Sequence, residues 1–436
     1  MFRKKICLEI KSRYIFYKKS IKIKNNKYKQ LNYGIIGNER GGHMIVLSVN
    51  AGSSSLKFTG FRMPEEEVLI SGVFERIGID NSFYTIKING EKIKKEKDLP
   101  NHEVAVKTLL DELLENHVVS SLSEIGAVGH RVVHGGEKYT DSVLVDENVI
   151  ATVRELCDLA PLHNPANLMG IEVFSKVMPN VKNVAVFDTA FHQTMPASSY
   201  IYPTPYEWYT EYGVRKYGFH GTSHKYVNSK ISEVLGRNDL KVISCHLGNG
   251  GSITAINSGR VLDTSLGFTP NAGLMMGTRS GDIDESIVPY IIAKTGKTLA
   301  EISNDLNKNS GFLGVSGVSS DSRDIGEGIK NGNERCILAE EIYERRVVNY
   351  IASYYALLGG VDVICFAGGI GENGIDVREN IMKKLECFGV KLDENANNVR
   401  GEIRKISAED SKILCYIIPT DEELMIARDT YSIVER

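Results

Sequence analysis

The sequence predicts an α/β protein made of two halves of related design that face a common cleft. The main observation is a repeated pattern. An apolar strand, a turn of small residues and a second strand occupy 44–62, and the pattern returns at 240–256, about 196 residues later. The second observation is that apolar runs and segments of helical spacing alternate along the chain from Met44 onward.

Length and composition narrow the class of protein. The 436 residues are long for one hydrophobic core and suit two or three domains. With 42% apolar residues and a net charge of −3, nothing favours a nucleic-acid or membrane partner, and no stretch reaches the roughly 18 apolar residues of a spanning helix. The seven cysteines are scattered without a C-x-x-C pair, which disfavours a zinc cluster or a secreted disulfide framework and favours the cytoplasm.

The first 43 residues are strongly basic, with 12 Lys and Arg against two acids, Glu9 and Glu39. Such a block is typical of a disordered targeting arm or an RNA-binding tail. The alternative, which we favour, is that 1–43 is a mis-assigned start. Its Lys, Ile, Asn and Tyr richness is what A/T-rich DNA encodes, and ERGGHM resembles a translated ribosome-binding site followed by the true start, Met44.

The elements of the first half follow from apolar runs and helical spacing. A strand at 44–49 has its hairpin partner at 56–62. A helix at 104–114 and a strand at 125–136 that ends in glycines follow. A helix follows, in which we expect Asn164 to be the cap, Pro165 to occupy the first turn and Pro179 to end the helix. A strand at 181–187 then places Asp188 at its carboxyl end.

The second half opens, after an aromatic-rich loop, with the repeated hairpin. A buried strand at 361–366 runs into AGGIGENG, and a helix at 422–432 closes the chain. The sequence AKTGKT at 293–298 ends like a phosphate-binding loop, but Ile291 stands where that motif has its first glycine, and a helix precedes it. We expect Gly296 to be the C-cap of that helix.

Both hairpin turns have the composition of a phosphate site. In SVNAGSSSLKF, Gly52 and three serines allow backbone N–H groups to approach an anion, and Lys57 adds a cation. The second turn, HLGNGGS at 246–252, offers three glycines. One serine-rich turn is more often only a turn, but the pairing favours a function. GGIGEN at 368–373 lacks the spacing of a dinucleotide fingerprint, so a floor beneath a nucleotide's base and ribose fits it better.

Histidines and arginines lie at predicted strand ends or in glycine-rich loops, where functional groups concentrate. They are His130, Arg131, His134, His163, His220, His224 and Arg279. Any one of them alone is more often structural. Since no HExxH signature is present, we interpret the histidines as hydrogen-bond donors to an anion and not as metal ligands. Among the acids, Asp188 has capping as its alternative role. For Glu422 and Glu423 the alternative is to be first-turn helix acids, and Asp321 with Arg323 could be a loop ion pair.

The chain closely resembles the acetate kinase family across 44–436, in nine motifs that keep their order: NAGSSSLK, GHRVVHGG, FDTAFH, YGFHGTSH, HLGNGGS, GFTPNAGLMMGTRSGDID, GVSGVSSDSRDI, GGIGEN and PTDEELMIARDT. The resemblance implies two duplicated ribonuclease H-like (actin-like ATPase) domains with an interdomain nucleotide cleft. We expect 44–190 with 421–436 to form the first domain. The second, 191–420, would carry most of the nucleotide site. The resemblance also implies a homodimer.

The resemblance implies that the γ-phosphoryl group of ATP passes in line and reversibly to acetate, giving ADP and acetyl phosphate. It assigns the catalytic roles to Arg131, Asp188, His220 and Arg279. The acetate site would contain Arg131, Val133, Leu162, His163, Phe219 and Pro270. The nucleotide site would contain Ser53, Ser55, Lys57, His246, Leu247, Gly248, Asn249, Gly250, Asp321, Ser322, Arg323, Gly369, Ile370, Gly371, Glu372 and Asn373. Asn50 and Glu422 would hold Mg²⁺, with Mn²⁺ as an alternative metal.

Elementary chemistry agrees with these implied roles. Two unit charges about 4 Å apart repel by roughly 4 kcal/mol at an effective dielectric near 20, so acetate and ATP need cations between them. The forked guanidinium groups of Arg131 and Arg279 suit carboxylate and phosphoryl oxygens. His220 would stabilise the equatorial oxygens. A carboxylic acid is already ionised at pH 7, so we expect Asp188 to orient His220, Mg²⁺ or water instead of acting as a base.

The sequence departs from the family pattern at three places. Ser322 stands where a larger apolar residue is usual and leaves the ATP or GTP preference open. Asp421 stands where Asn is often found and could alter Mg²⁺ binding. Asn271 and Ala272 also depart from the pattern but leave the chemistry unchanged.

A propionate or butyrate kinase is the nearest alternative function, since one methylene is worth only about 1 to 3 kcal/mol. A non-catalytic ATP-binding regulator of the same superfamily is the remote one.

Overall fold

Two mixed β-sheets organise the protein in the computed structural model, which describes residues 43–436. The predictions made for the basic segment, up to residue 42, lie outside the described residues. His43–Arg436 forms a single compact unit. None of its helices is both long enough and apolar enough to cross a membrane.

The first sheet has eight strands in the order β5-β4-β3-β2-β1-β6-β8-β7. These strands are β1 (Met44–Ala51), β2 (Ser55–Met63), β3 (Glu67–Glu75), β4 (Phe83–Ile88), β5 (Glu91–Glu96), β6 (Ile125–Val132), β7 (Val143–Leu144) and β8 (Lys182–Phe187). Val46, Leu47 and Val49 of β1 are at most 1% exposed, which explains why this strand is apolar at successive positions and not only at alternate ones.

The second sheet has six strands in the order β11-β10-β9-β12-β14-β13. They are β9 (Lys241–Leu247), β10 (Gly251–Asn257), β11 (Arg260–Thr264), β12 (Val363–Ala367), β13 (Arg404–Lys405) and β14 (Leu414–Ile417). Ile243, Cys245 and Leu247 of β9 are fully buried in a core shared with the helix at Glu334–Leu358.

The two sheets share one construction. In the first, β3-β2-β1 are antiparallel neighbours, and β6 and β8 continue parallel to β1. In the second, β11-β10-β9 are antiparallel, and β12 and β14 continue parallel to β9. The predicted fold class, two related α/β halves each opened by a small-residue hairpin, is confirmed.

Helices cover the faces of these sheets in the described chain. They are α1 (His102–Glu115), α2 (Glu147–Glu155), α3 (Asn164–Val177), α4 (Ala197–Tyr200), α5 (Tyr206–Tyr212), α6 (Gly221–Leu235), α7 (Ile287–Thr295), α8 (Leu299–Lys308), α9 (Gly311–Ser316), α10 (Ser322–Lys330), α11 (Glu334–Leu358), α12 (Gly368–Asn373), α13 (Ile375–Lys384), α14 (Glu394–Asn397) and α15 (Glu422–Val434). Gly296 is the C-cap of α7 with φ +72°, as predicted.

One capping prediction is wrong. His163, not Asn164, is the N-cap residue of α3, and it makes no side-chain capping bond. The Asn164 side chain is buried, accepts from the His134 N–H at 3.0 Å and donates to the His134 carbonyl at 3.0 Å. It is diverted because the loop after β6 offers it a donor and an acceptor together. Pro165 does occupy the first turn.

The last helix returns the chain to the first sheet. α15 packs on β1, β6 and β8, and a Cβ built on Gly129 of β6 would lie 2.1 Å from Thr430 Oγ1, so glycine is what allows this close approach. Arg428 of α15 also bonds Glu233 of α6 at 3.1 Å. The start of α15, with Glu422, is thereby held beside the carboxyl ends of the first sheet's strands.

Candidate active site

The carboxyl ends of parallel strands bring most of the predicted catalytic residues to one place. Arg131 is the last residue but one of β6, Asp188 directly follows β8, and His220 precedes α6. Arg131 Nε and Nη2 donate to Asp188 Oδ2 at 3.0 and 2.6 Å. The Asp188 side chain is 1% exposed, and the Arg131 side chain is 22% exposed. Burial alone would lower the pKa of Arg131, but the carboxylates of Asp188 and Glu422 outweigh it and raise that pKa.

Asp188 has partners other than the expected one. Its second oxygen, Oδ1, accepts from Thr222 Oγ1 at 2.9 Å, and its carbonyl accepts from the Gly221 N–H at 2.9 Å. A Cβ on Gly221 would lie 2.1 Å from that carbonyl oxygen. Of the three roles predicted for Asp188, orienting His220 has no direct hydrogen bond behind it in residues 43–436, because His220 bonds Ser252. Orienting Mg²⁺ or water stays a prediction. Asp188 orients Arg131 and links β8 to the start of α6.

His220 is a neutral hydrogen-bonding group in a left-handed backbone conformation, with φ +57°. Its Nδ1 lies 2.9 Å from Ser252 Oγ, and its ring stacks on His246 at 4.3 Å between centroids. Burial, then the nearby His246, His224, Arg131 and Arg279, lower its pKa well below the ordinary value. An uncharged imidazole can donate a hydrogen bond to an anion without carrying a charge of its own.

Arg279 meets His220 beside the second hairpin turn. A Cβ built on Gly250 would lie 3.6 Å from Arg279 Nη1 and 3.6 Å from His220 Nε2. Arg279 Nη1 donates to the Pro270 carbonyl at 3.2 Å, and burial lowers its pKa. The pKa of His163 is lowered by burial and then by Arg131 and Arg279, which places His163 near both guanidinium groups. The structure therefore brings these predicted cations together.

A small apolar cluster lies next to these cations. It consists of Val133, Phe219, Leu266 and Met276, each at most 6% exposed. Leu162, also predicted to line this pocket, is 78% exposed and lies outside the cluster. Sequence reasoning missed Leu266 and Met276. Met276 lies three residues before Arg279 in GLMMGTR, and this nearness in sequence is a signal that could have identified it.

The start of α15 brings two half-buried acids, Glu422 and Glu423, near Arg131. Burial raises the pKa of Glu422 to about 7, and the carboxylates of Asp188 and Glu423 act in the same direction. The charges of Arg131 and Lys57 act to lower this pKa. Arg131 Nε lies 3.9 Å from Glu422, and Lys57 pairs with Glu423. Across residues 43–436 no group of three or more His, Cys, Asp or Glu side chains could hold a metal ion. Asn50, the other residue predicted to hold Mg²⁺, lies near the carboxyl end of β1.

The predicted nucleotide residues fall on four segments: the β1–β2 hairpin, the β9–β10 turn, the start of α10 and the helix α12. Ser53 and Ser55 lie at the β1–β2 turn, where the Gly52 N–H donates to the Ser55 carbonyl at 2.8 Å. The β9–β10 turn approaches α12, because a Cβ on Gly248 would lie 3.8 Å from the Gly369 nitrogen. A Cβ on Gly277 would lie 1.7 Å from Asn249 Oδ1, so this turn packs closely on its neighbouring loop.

The GGIGEN segment forms the short helix α12 directly after β12. Its Glu372 Oε1 accepts from the Gly368 and Thr420 N–H groups at 2.8 and 3.0 Å, so this carboxylate holds backbone. Asn373 bonds the Gly369 carbonyl at 2.9 Å. The buried Arg378 side chain donates to the Gly371 carbonyl at 2.9 Å and so holds α12 in place. This residue was not identified from the sequence.

Other predicted residues have local partners. Asp321 is the N-cap of α10 and pairs with Arg323 at 2.6 Å; the Arg323 side chain is 87% exposed, so the loop ion pair weighed above exists. Ser322 follows that cap as the first residue of α10. His130 Nε2 bonds Asn183 Oδ1 at 2.8 Å within the core, so its interpretation as an anion donor is wrong. His134 is fully buried and packs edge-on against Tyr217.

The chain is similar to known proteins of one family. Residues 45–428 match the model of the Acetokinase family. An acetate kinase of Bacillus subtilis (strain 168) is 57% identical over 386 residues, covering 88% of this chain and 98% of that protein. One of Bacillus velezensis is 56% identical over 392 residues, covering 89% and 99%.

Solved structures give the same assignment. The crystal structure of Porphyromonas gingivalis acetate kinase superimposes with a TM-score of 0.87 at 48% identity, covering 89% of this chain and 99% of that one. A propionate kinase from Francisella tularensis superimposes with a TM-score of 0.84 at 41% identity and the same coverage. The family match spans most of the chain and includes Arg131, Asp188, His220 and Arg279. The chain belongs to the acetokinase family.

Proposed function

We propose that this protein transfers the γ-phosphoryl group of ATP to acetate, reversibly, giving ADP and acetyl phosphate. The observation that carries the proposal is the meeting of Arg131, Arg279 and neutral His220 beside a small apolar cluster. A carboxylate with a short alkyl group needs cations at one end and an apolar surface at the other. This is what the described residues supply.

In the proposed mechanism the two guanidinium groups offset the repulsion between the two negatively charged substrates. Acetate and the γ-phosphoryl group repel by roughly 4 kcal/mol at about 4 Å in an effective dielectric near 20. Arg131 holds the carboxylate, and Arg279 contacts the phosphoryl group in flight. His220 donates to an equatorial oxygen as charge spreads in the in-line transition state. The Gly250 turn and Lys57 hold the remaining phosphate oxygens with backbone N–H groups and an ammonium.

Asp188 positions Arg131 in this mechanism. Acetate is ionised at pH 7, so no base has to remove a proton from the acceptor. The Asp188 carboxylate accepts two hydrogen bonds from Arg131 and one from Thr222, and so fixes the direction of the guanidinium fork.

We propose that Asn50 and Glu422 would hold a divalent cation, Mg²⁺ with Mn²⁺ as an alternative. Glu422 is a carboxyl group whose pKa burial raises to about 7, and a cation beside it would favour its charged form. Asp421, the N-cap of α15, accepts from the Leu424 N–H at 2.8 Å and so fixes where Glu422 starts the helix. The metal would neutralise charge on the phosphate oxygens of ATP.

Propionate is the second candidate acceptor, because a propionate kinase is among the similar structures. The apolar cluster, Val133, Phe219, Leu266 and Met276, would exclude an extra methylene by only about 1 to 3 kcal/mol. Leu162 and Pro270 remain predicted members of this pocket. Acetate as the preferred substrate is supported by the acetate kinases that are 56% and 57% identical.

The proposal extends to organisation and location. We assign 44–190 with 421–436 to one domain, supported by the packing of α15 on the first sheet, and 191–420 to the other. We also propose a cytoplasmic location and a homodimer, as the resemblance implies. Exposed apolar side chains on α7 and α8, Tyr290 at 60% and Leu299 at 66%, support the dimer. Light scattering during gel filtration tests the dimer.

Trapping with hydroxylamine tests the function directly. Acetyl phosphate made from ATP and acetate reacts to a hydroxamate that is coloured with ferric ion, and samples without ATP or without acetate are the controls. We expect product with acetate, less with propionate and least with butyrate. A preference for butyrate would contradict acetate as the substrate. No product despite measured ATP binding would favour the non-catalytic regulator.

A further inference from the structure

A chain of buried hydroxyl and imidazole groups leads away from His220 into the second half of the molecule. Ser252 Oγ lies 2.9 Å from His220 Nδ1 and 2.7 Å from His224 Nε2. His224 Nδ1 in turn lies 2.8 Å from Ser244 Oγ. Ser244, His224 and Ser252 are all 0% exposed. We call these three residues the buried relay.

Counting protons gives the relay a direction. A serine hydroxyl has one proton to donate, and a neutral histidine has one N–H. Ser244 Oγ makes no other hydrogen bond within residues 43–436, so its proton is satisfied only at His224 Nδ1. His224 then carries its proton on Nε2 and donates to Ser252. The Ser252 proton is left for His220 Nδ1, and His220 is protonated at Nε2.

The opposite direction is unfavourable at the Ser244 end. If His220 donated from Nδ1, Ser252 would donate to His224, and His224 would donate to Ser244. The Ser244 proton would then be buried without an acceptor, at a cost of about 1 to 3 kcal/mol.

Burial keeps this arrangement uncharged. The pKa values of His220 and His224 are lowered well below the ordinary value, first by burial and then by neighbouring histidines. Each ring therefore has one N–H, and what the relay sets is the nitrogen that carries it.

We propose that Ser244, His224 and Ser252 are positioning residues that fix His220 as its Nε2–H tautomer, so that a donor faces the transferring phosphoryl group. The inference rests on the proposed function, because the phosphoryl group is the anion that this N–H would meet. The relay touches no substrate and acts through His220 alone.

Nitrogen-15 NMR of histidine-labelled, full-length protein tests the tautomer. Long-range proton couplings distinguish a protonated Nε2 from a protonated Nδ1, and the signal missing from His220→Gln assigns the ring. We expect Nε2–H at His220 in the wild type and a loss of that preference in Ser252→Ala. In the same variant kcat should fall at least about tenfold, with KM for ATP changed less than about threefold.

The control is Thr254→Val, which removes another buried hydroxyl from β10. Thr254 Oγ1 bonds Thr264 Oγ1 at 2.9 Å and is outside the relay, so the tautomer and kcat should stay unchanged. Ser252→Thr, which keeps the hydroxyl, should restore both. If Ser252→Ala does not fold, Ser244→Ala, two bonds farther from His220, takes its place with the same expectations.

Two results would overturn the relay: Nδ1–H at His220 in the wild type, or Ser252→Ala in which tautomer and kcat do not change together. Failure of the proposed function is a separate result. A wild-type protein that makes no acetyl phosphate would contradict the function, while its histidine spectrum would still decide the tautomer.

Discussion

Replacing Asp188 by asparagine separates a positioning carboxylate from a catalytic base. In the structure both Asp188 oxygens are occupied, Oδ2 by Arg131 at 3.0 and 2.6 Å and Oδ1 by Thr222 at 2.9 Å. An asparagine keeps the shape but offers one oxygen where two are used. It also removes the one carboxylate that bonds Arg131 directly, leaving Glu422 at 3.9 Å as the nearest remaining counterion.

The size of the effect follows from the burial of the pair. Removing one partner of a buried ion pair costs about 3 to 5 kcal/mol. Since the Arg131 side chain keeps 22% exposure, we take the lower end, about 3 kcal/mol, for the free energy of unfolding. A misdirected guanidinium should lower kcat/KM by about 10² to 10³, which is about 3 to 4 kcal/mol in the activation barrier.

The assay is hydroxamate formation from acetate across about pH 5.5 to 8.5, with Thr222→Val as the matched control, which leaves the Arg131 pair in place. We predict that Asp188→Asn lowers the rate at every pH by a similar factor, and that Thr222→Val loses about tenfold or less. If the variant instead keeps the plateau rate and loses only the low-pH limb, Asp188 is a base and the positioning role is wrong.

Three other measurements test separate parts of the site. Propionate should have a kcat/KM about 10- to 200-fold below that of acetate, and equal values would argue against a pocket closed by Val133 and Phe219. Gly250→Ala should unfold at the wild-type temperature, because the added Cβ would be in ordinary contact at 3.6 Å, yet it should lose phosphoryl transfer. The control Gly326→Ala, whose Cβ would have no atom within 4 Å, should keep full activity. Full activity in both variants would contradict the placement of the Gly250 turn. Burial lowers the pKa of His130 from 6.5 to about 4, so the neutral ring's contribution to the free energy of unfolding is present above pH 6.5 and is lost as the pH falls towards 4. In urea titrations, His130→Gln should reduce that loss by about 3 kcal/mol. An unchanged pH dependence would contradict a buried, neutral His130.

The fold was largely predictable because its signals are local. β1 and β9 are buried on both faces, so each appears as a continuous apolar run with its small-residue turn beside it. The shared strand order of the two sheets follows from repeating that hairpin and adding parallel strands. Gly296 was predictable for the same reason, since a positive φ at a helix end favours glycine.

Partner choice within the site was not predictable, because it depends on residues far apart in the chain. Asp188 is 57 positions from Arg131, and no spacing rule favours Arg131 over His220 as its partner. Asn164 had the composition of a cap, but a loop 30 positions away offered it better bonds. Ser244 and Ser252 look like ordinary strand residues until the fold places His224 between them.

The most direct test of the account is a crystal structure of the protein with ADP, acetate and a planar metal fluoride that imitates the transferring phosphoryl group. We predict that Arg131, Arg279 and His220 Nε2 lie within hydrogen-bond distance, about 3.2 Å, of the fluoride or of the acetate oxygens. The methyl group should contact Val133 and Phe219. A fluoride bound away from all three side chains would contradict the account.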